Sequence, residues 1–312
     1  MAYNLSETAA GDPVYHAPNG LNYIAGGNLA NCTLPACPVQ LSVYGYRASL
    51  PFSATLIALY ALCAVAQTYL GVRYKTWSFM AAMLLGCLTE ILGYVGRIIM
   101  WNNPWDSNGF IMQIVLITIG PVFFSAAIYV QLYQLAIYIS ASASRFAPKL
   151  FWWVFIPCDI VSLILQAVGG AMSSSSNGNS SVGVNIALAG LAIQVATLVM
   201  FIVATLDYAW LSRGVASEKK STLQFKLFAG SLGAATILIL IRCTYRVYEL
   251  SQGYSRDSKA LRDQPLFIGL EGVMVILAAW CLVVAHPGPV FKSRKGGLVE
   301  KQKMAGSEEA VV

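Results

Sequence analysis

The chain has 312 residues, of which 57% are apolar and 11% charged, with a mean hydropathy of +0.63 and a net charge of +6. Soluble domains carry about 25% charged residues, and a chain this poor in charge cannot cover a water-facing surface. The composition excludes disorder and solenoid repeats over most of the chain, and seven Cys are too few for a secreted disulfide scaffold. The positive balance does not point to nucleic acid, because it is concentrated in short loops and the C-terminal tail.

The first 48 residues are polar and rich in Asn, Pro and Gly. They lack a basic stretch followed by an apolar run, so no cleavable signal peptide is read there and the first span itself directs insertion. Two glycosylation sequons fall in this tail, Asn4-Leu5-Ser6 and Asn31-Cys32-Thr33, and a third, Asn179-Ser180-Ser181, lies in a short later loop. Cys32 and Cys37 could form a disulfide in an oxidising compartment. The other five Cys (63, 87, 158, 243, 281) fall inside apolar runs and read as small packing residues.

Seven stretches are long enough to cross a ~30 Å hydrocarbon core: about Ser49–Val72, Thr76–Met100, Phe110–Ser140, Leu150–Met172, Val182–Trp210, Leu223–Tyr248 and Leu266–Ala285. Every backbone group must be satisfied within the bilayer, so runs of this length are helices, and barrel strands of ~10 alternating residues do not fit them. The expected fold is all-α: a polytopic membrane protein with a seven-helix transmembrane domain over 49–285, a polar N-terminal tail over 1–48 and a basic tail over 286–312. With the N-terminus outside, the cytoplasmic segments hold thirteen cations: Arg73, Lys75, Arg145, Lys149, Arg213, Lys219, Lys220, Lys226, Lys292, Arg294, Lys295, Lys301 and Lys303. The outer segments hold four, Arg47, Arg256, Lys259 and Arg262. That asymmetry predicts an external N-terminus and a cytoplasmic C-terminus. The stretch Lys292–Lys303 is placed against anionic lipids of the inner leaflet, where it serves at least as a topology signal.

Ionisable groups within spans are costly and mark the bundle interior. In the second span Glu90, Gly93, Tyr94 and Arg97 share a helical face. In the fourth, Asp159, Ser162, Gln166 and Gly169 do the same, two residues after a Pro157 expected to kink the helix. The third span offers Gln113 and a mid-span Pro121, and the fifth Asn185 and Gln194. Arg242, Arg246 and Glu249 recur at i, i+4, i+7 in the sixth, and the seventh carries Glu271. Glu90 lies fourteen residues beyond Thr76, ~21 Å at 1.5 Å per residue, which places it past the midplane. Three Arg and four acids therefore gather in the outer half or near the middle, Asp159 being the central one. Such a set either locks helices together or lines a polar, partly hydrated cavity; the cavity is the expectation, with Glu90, Tyr94, Arg97, Asp159, Gln166, Gln194, Arg242, Arg246, Glu249 and Glu271 as candidate binding and translocation residues.

Several chemistries have no residues to carry them. There is no phosphate-binding G-x-x-x-x-G-K-[ST] loop, so ATP hydrolysis is not expected. Two His, at 16 and 286, cannot make a three-His zinc site, so neither a metal nor a cofactor is expected. No G-x-S-x-G elbow occurs, and the protein is read as a non-enzyme. The last span has no Lys for a retinal Schiff base. The third span ends without Asp/Glu-Arg-Tyr, and no Asn-Pro-x-x-Tyr closes the seventh, which weighs against a conventional seven-helix receptor.

Six motifs in order resemble the fungal lipid-translocating exporter family, the Rta-like seven-helix proteins. They are Glu90-x-x-Gly93-Tyr94-x-x-Arg97; Gly120-Pro121 with Ala126-Ala127-x-Tyr129; Asp159-x-x-Ser162-x-x-x-Gln166-x-x-Gly169-Gly170; Gly190-Leu191-x-x-Gln194; Arg242-x-x-Tyr245-Arg246-x-x-Glu249-x-x-x-Gly253; and His286-Pro287-Gly288. Tyr44-Gly45-Tyr46 also resembles the family, although Ala48 stands where it often has Pro, and Gln264 and Glu271 replace a more usual Glu and Asp. The resemblance implies a fungal protein of the plasma membrane or nearby endomembranes. It implies export or flipping of amphiphilic lipids such as sphingoid long-chain bases, and resistance to toxic amphiphiles. A cationic amino headgroup would meet Glu90, Asp159, Glu249 or Glu271, and an anionic one Arg97, Arg242 or Arg246. A sensor for an outer-leaflet amphiphile is the alternative.

Overall fold

A computed structural model describes residues 5–7, 13–17, 20–25, 30–139, 150–175, 181–211, 223–252 and 262–289. Asn4, Asn179, Gly253 and the basic stretch from Lys292 to Lys303 lie outside these residues.

Among the described residues, seven helices are long and apolar enough to cross a membrane. They are α1 (Leu50–Tyr74), α2 (Trp77–Asn102), α3 (Ser107–Ile139), α4 (Leu150–Ser175), α5 (Ser181–Leu211), α6 (Leu223–Ser251) and α7. The last is composite: a turn at Gln264–Leu266, a π-helical segment at Phe267–Val273, and an α-helix at Met274–Val284. The limits of α1 follow from local chemistry. Pro51 sits in its first turn, where the missing N–H is not needed, and Lys75 closes it in the left-handed conformation (φ 57°), donating its N–H to Gly71 O. Pro121 and Pro157 both lie inside continuous helices. The π-helical segment, which holds Gly269 and Gly272 and follows Pro265, was not foreseen from the sequence.

Helix pairs that follow each other in the chain pack most closely, as small residues allow in a bilayer. Gly96 of α2 and Gly109 of α3 meet backbone to backbone, and a Cβ on either would press the other helix. In the α4–α5 pair, a Cβ on Gly169 would overlap the backbone of Gly183 and Ala187. The main apolar core lies where α1, α2, α3, α6 and α7 converge, around Tyr60, Cys63, Phe79, Met83, Phe124, Ala127, Ile239, Ala278, Ala279 and Leu282, each under 1% exposed. Leu62, Val65, Leu88, Ile160, Ile164, Val203 and Leu206 face outward, as a lipid-bathed flank requires.

The N-terminal tail carries structure of its own. Leu5–Glu7, Pro13–His16 and Asn22–Ile24 form an antiparallel three-stranded sheet, β1–β3, with Leu5 opposite Tyr15 and Val14 opposite Ile24. Cys32 and Cys37 are disulfide-bonded, and with Ala25 and Leu41 they pack on Trp105 in the turn between α2 and α3. The tail therefore rests on one end of the bundle, the end toward which the charges also cluster.

Candidate functional site

The charged residues of three helices converge on one strip of α3, residues 117–120. Arg242 of α6 donates through Nη2 to the Ile117 carbonyl (2.8 Å) and to Glu271 Oε1 of α7 (2.9 Å). One turn later Arg246 pairs with Glu249, donates to Thr118 Oγ1 (3.2 Å), and lies 3.8 Å from the other oxygen of Glu271. The i, i+4, i+7 spacing of Arg242, Arg246 and Glu249 brings all three to this seam. Glu271 meets them from the π-helical segment, a departure from α-geometry that is frequent at functional sites.

The two charges of α2 are held differently. Glu90 is 1% exposed, and neither carboxyl oxygen has a hydrogen-bond partner among the described residues. It fills the space left by the absent side chain of Gly120, where a Cβ would overlap its carboxyl group. Arg97, also 1% exposed, makes no ion pair among the described residues. Its Nη2 donates to Tyr46 OH (2.9 Å), its guanidinium lies 3.9 Å from the Phe267 ring centroid, and Nε and Nη1 have no hydrogen-bond partner among the described residues. Tyr94, between them on the same face, stacks on Tyr60 at 6.2 Å.

The segment before α1 closes this end. Gly45 has φ 69°, which turns the chain so that Tyr44 and Tyr46 both point into the bundle. Tyr44 OH accepts from Gln113 Nε2 (2.9 Å), and Tyr46 OH accepts from Arg97. Burial raises the ionisation of both phenols above the ordinary tyrosine range, against the lowering effect of Arg97.

The remaining candidates form separate sites. Asp159 accepts from Tyr129 OH (3.0 Å) beside Phe155 and Phe201, away from the arginines. Gln166 Nε2 donates to Gln194 Oε1 (3.0 Å) across the α4–α5 pair. An apolar crevice of about 50 Å³ adjoins this amide pair, between α3, α4, α5 and α6; Ile119, Leu163, Ala187 and Leu191 contribute walls, and Thr118, Gln166 and Arg246 its polar edge. Asn185 is exposed on α5. In the tail, exposed Asn31 accepts from Ile24 N (2.7 Å).

The expectation of a partly hydrated cavity lined by the charges needs correction. Glu90, Arg97, Arg242 and Glu271 are each no more than 1% exposed, so they are packed rather than lining a water-sized space. Close approach of α2 and α3 and the Arg97 guanidinium over the Phe267 ring fill that volume. The open space lies to one side, against Arg246 and Gln166. Thr118 and Phe267 are part of the arrangement and were not singled out from sequence, since a threonine in an apolar run and a phenylalanine carry no periodic signal; Tyr46 was noted only within the Tyr44-Gly45-Tyr46 resemblance.

Fold and site together define a seven-helix membrane protein with a buried ionic network at one end and an amphiphilic crevice beside it. A family model described as RTA1 like protein matches residues 83–294, and the chain belongs to that family. It is 29% identical to the sphingoid long-chain base transporter RSB1 of Saccharomyces cerevisiae, over 86% of this chain and 81% of the relative. It is 29% identical to protein RTM1 of the same yeast over 57% of this chain and 60% of the relative, and 33% identical to protein RTA1 over 38% of each. No solved structure matches the chain.

Proposed function

We propose that this protein moves amphiphilic lipids, a sphingoid long-chain base or a related amino-lipid, from one leaflet to the other or out of the membrane, without ATP and without altering the lipid covalently. The observation that carries the reading is the apolar crevice with a polar edge at Thr118, Gln166 and Arg246; elsewhere in the bundle Glu90 and Asp159 are buried with carboxyl oxygens that have no hydrogen-bond partner among the described residues. An alkyl chain suits the walls, and an ammonium suits a carboxyl group with spare acceptor capacity. The similarity to a relative named as a sphingoid long-chain base transporter supports the same substrate class. Resistance to toxic amphiphiles follows from such export.

The distribution of Lys and Arg supports an external N-terminus, and the family resemblance supports the plasma membrane as its location. In that orientation the ionic network faces the outer leaflet, Asn4 and Asn31 can carry glycans, and the basic C-terminal stretch meets anionic inner-leaflet lipid. Glycosidase digestion tests the orientation: a mobility shift abolished by Asn4→Gln with Asn31→Gln is expected, and a glycan-free tail with an externally accessible C-terminus would overturn it.

Reconstitution tests the activity. Purified protein in phosphatidylcholine vesicles is expected to accelerate transbilayer movement of a labelled long-chain base. Rates equal to protein-free vesicles would overturn the translocation reading, and specific binding without movement would leave the sensor reading in its place.

A further inference from the structure

The amide pair beside the crevice has more hydrogen-bonding capacity than the protein uses. Gln166 and Gln194 share one hydrogen bond of 3.0 Å. Gln166 Oε1 and Gln194 Nε2 are buried and have no partner among the described residues. The side chains themselves are 9% and 2% exposed, so water does not generally satisfy them. Whichever way the two amides are turned, one acceptor and one donor remain. An uncommitted donor and acceptor held together in an apolar setting are the complement of a hydroxyl group, which offers one of each. Leaving both unmet is costly, so the pair gains most from a partner that supplies both.

The location fits a ligand entering from the lipid. Gln166 opens on the crevice, whose other walls are apolar apart from Thr118 and Arg246. The α4–α5 pair packs tightly within itself but meets α3 and α6 along shorter seams, and the crevice lies on those seams. Gly170 lines it, and a Cβ built there meets nothing within 4 Å. Val115, which lines the crevice on α3, is exposed on the bundle surface.

We propose that Gln166 and Gln194 form a hydroxyl-reading site at the α3–α4 crevice, which selects hydroxylated long-chain amines over alkylamines of equal length. The proposal rests on the lipid-moving reading given above and adds the feature of the substrate that is recognised. A carboxyl group meets the amine of either molecule and cannot tell them apart. An amide pair left unmet by the wrong substrate can, because sites built to bond a hydroxyl reject analogues that lack it.

The test compares sphinganine with octadecylamine in phosphatidylcholine vesicles containing the full-length protein, following extraction of each amine by external albumin. Diazirine derivatives of both amines report binding independently of movement. The wild-type protein is expected to favour sphinganine by about tenfold or more. Gln194→Leu should reduce that preference to about one, slowing sphinganine far more than octadecylamine, and Gly170→Leu, whose Cβ meets nothing within 4 Å, should abolish sphinganine cross-linking to α3 and α4. Equal effects of Gln194→Leu on both amines, or sphinganine labels unchanged by Gly170→Leu, would overturn the proposal. Movement of neither amine, with sphinganine still labelling the crevice, would defeat the translocation reading while leaving the hydroxyl site standing.

Discussion

The charges of α6 and α7 and those of α2 lie at the same end of one bundle and are treated in opposite ways. Arg242, Arg246, Glu249 and Glu271 are joined in a chain of ion pairs anchored to α3. Glu90 and Arg97, seven residues apart on one face of α2, pair with nothing ionic among the described residues. Pairing is what makes burial of charge tolerable, so the α6–α7 set reads as the structural lock of the bundle. Charges buried without pairs are retained against a penalty, which is more readily understood as a requirement of activity than of folding. The difference divides a cluster that spacing alone makes look uniform.

Breaking the lock should have the largest effect. Arg242→Leu alone leaves buried Glu271 with only its longer, 3.8 Å contact to Arg246, and is expected to destabilise the protein by about 3 kcal/mol. Arg242→Met with Glu271→Leu should recover most of that loss. Thermal unfolding in lipid nanodiscs at a fixed scan rate checks both, and equal losses for the single and double variants would break the distinction. Tyr46→Phe removes the one hydrogen bond that Arg97 makes among the described residues and should cost about 1.5–3 kcal/mol in the same assay. Glu90→Gln and Arg97→Met should alter stability by no more than about 1 kcal/mol while abolishing lipid movement in vesicles. Severe unfolding of either would place α2 with the lock.

The smallest effect is one of pH. Tyr44 and Tyr46 keep their protons in the folded state to a higher pH than in the unfolded chain, whose tyrosines ionise near ~10. Between those points the folded state binds more protons than the unfolded one, so stability falls as pH rises above ~10 and is unaffected by these groups below it. Tyr44→Phe should flatten that fall, as followed by unfolding temperature against pH.

How much of this was legible in advance differs by level. The positions of the seven spans were, because hydrocarbon thickness imposes a run length that hydropathy reports directly. Ten candidate residues were also legible from polarity in apolar runs, and helical spacing correctly put Arg242, Arg246 and Glu249 on one seam. Their division was not. Asp159 faces Tyr129 and the Phe155–Phe201 pair, whereas Glu90 faces Gly120, and no spacing within one helix encodes which neighbour it meets.

The sequence by itself determined the membrane class, the helices and the short list of residues too costly to bury without reason, since each depends on local composition and a periodicity of 3.6. Only the tertiary structure decided which charges pair and which stay alone, that the tyrosines before α1 enter the bundle, and that the open space adjoins an amide pair rather than the ions. Those outcomes depend on the mutual rotation and closeness of helices distant in sequence, fixed by glycine contacts and a π-helical segment whose effect exists only once the helices meet.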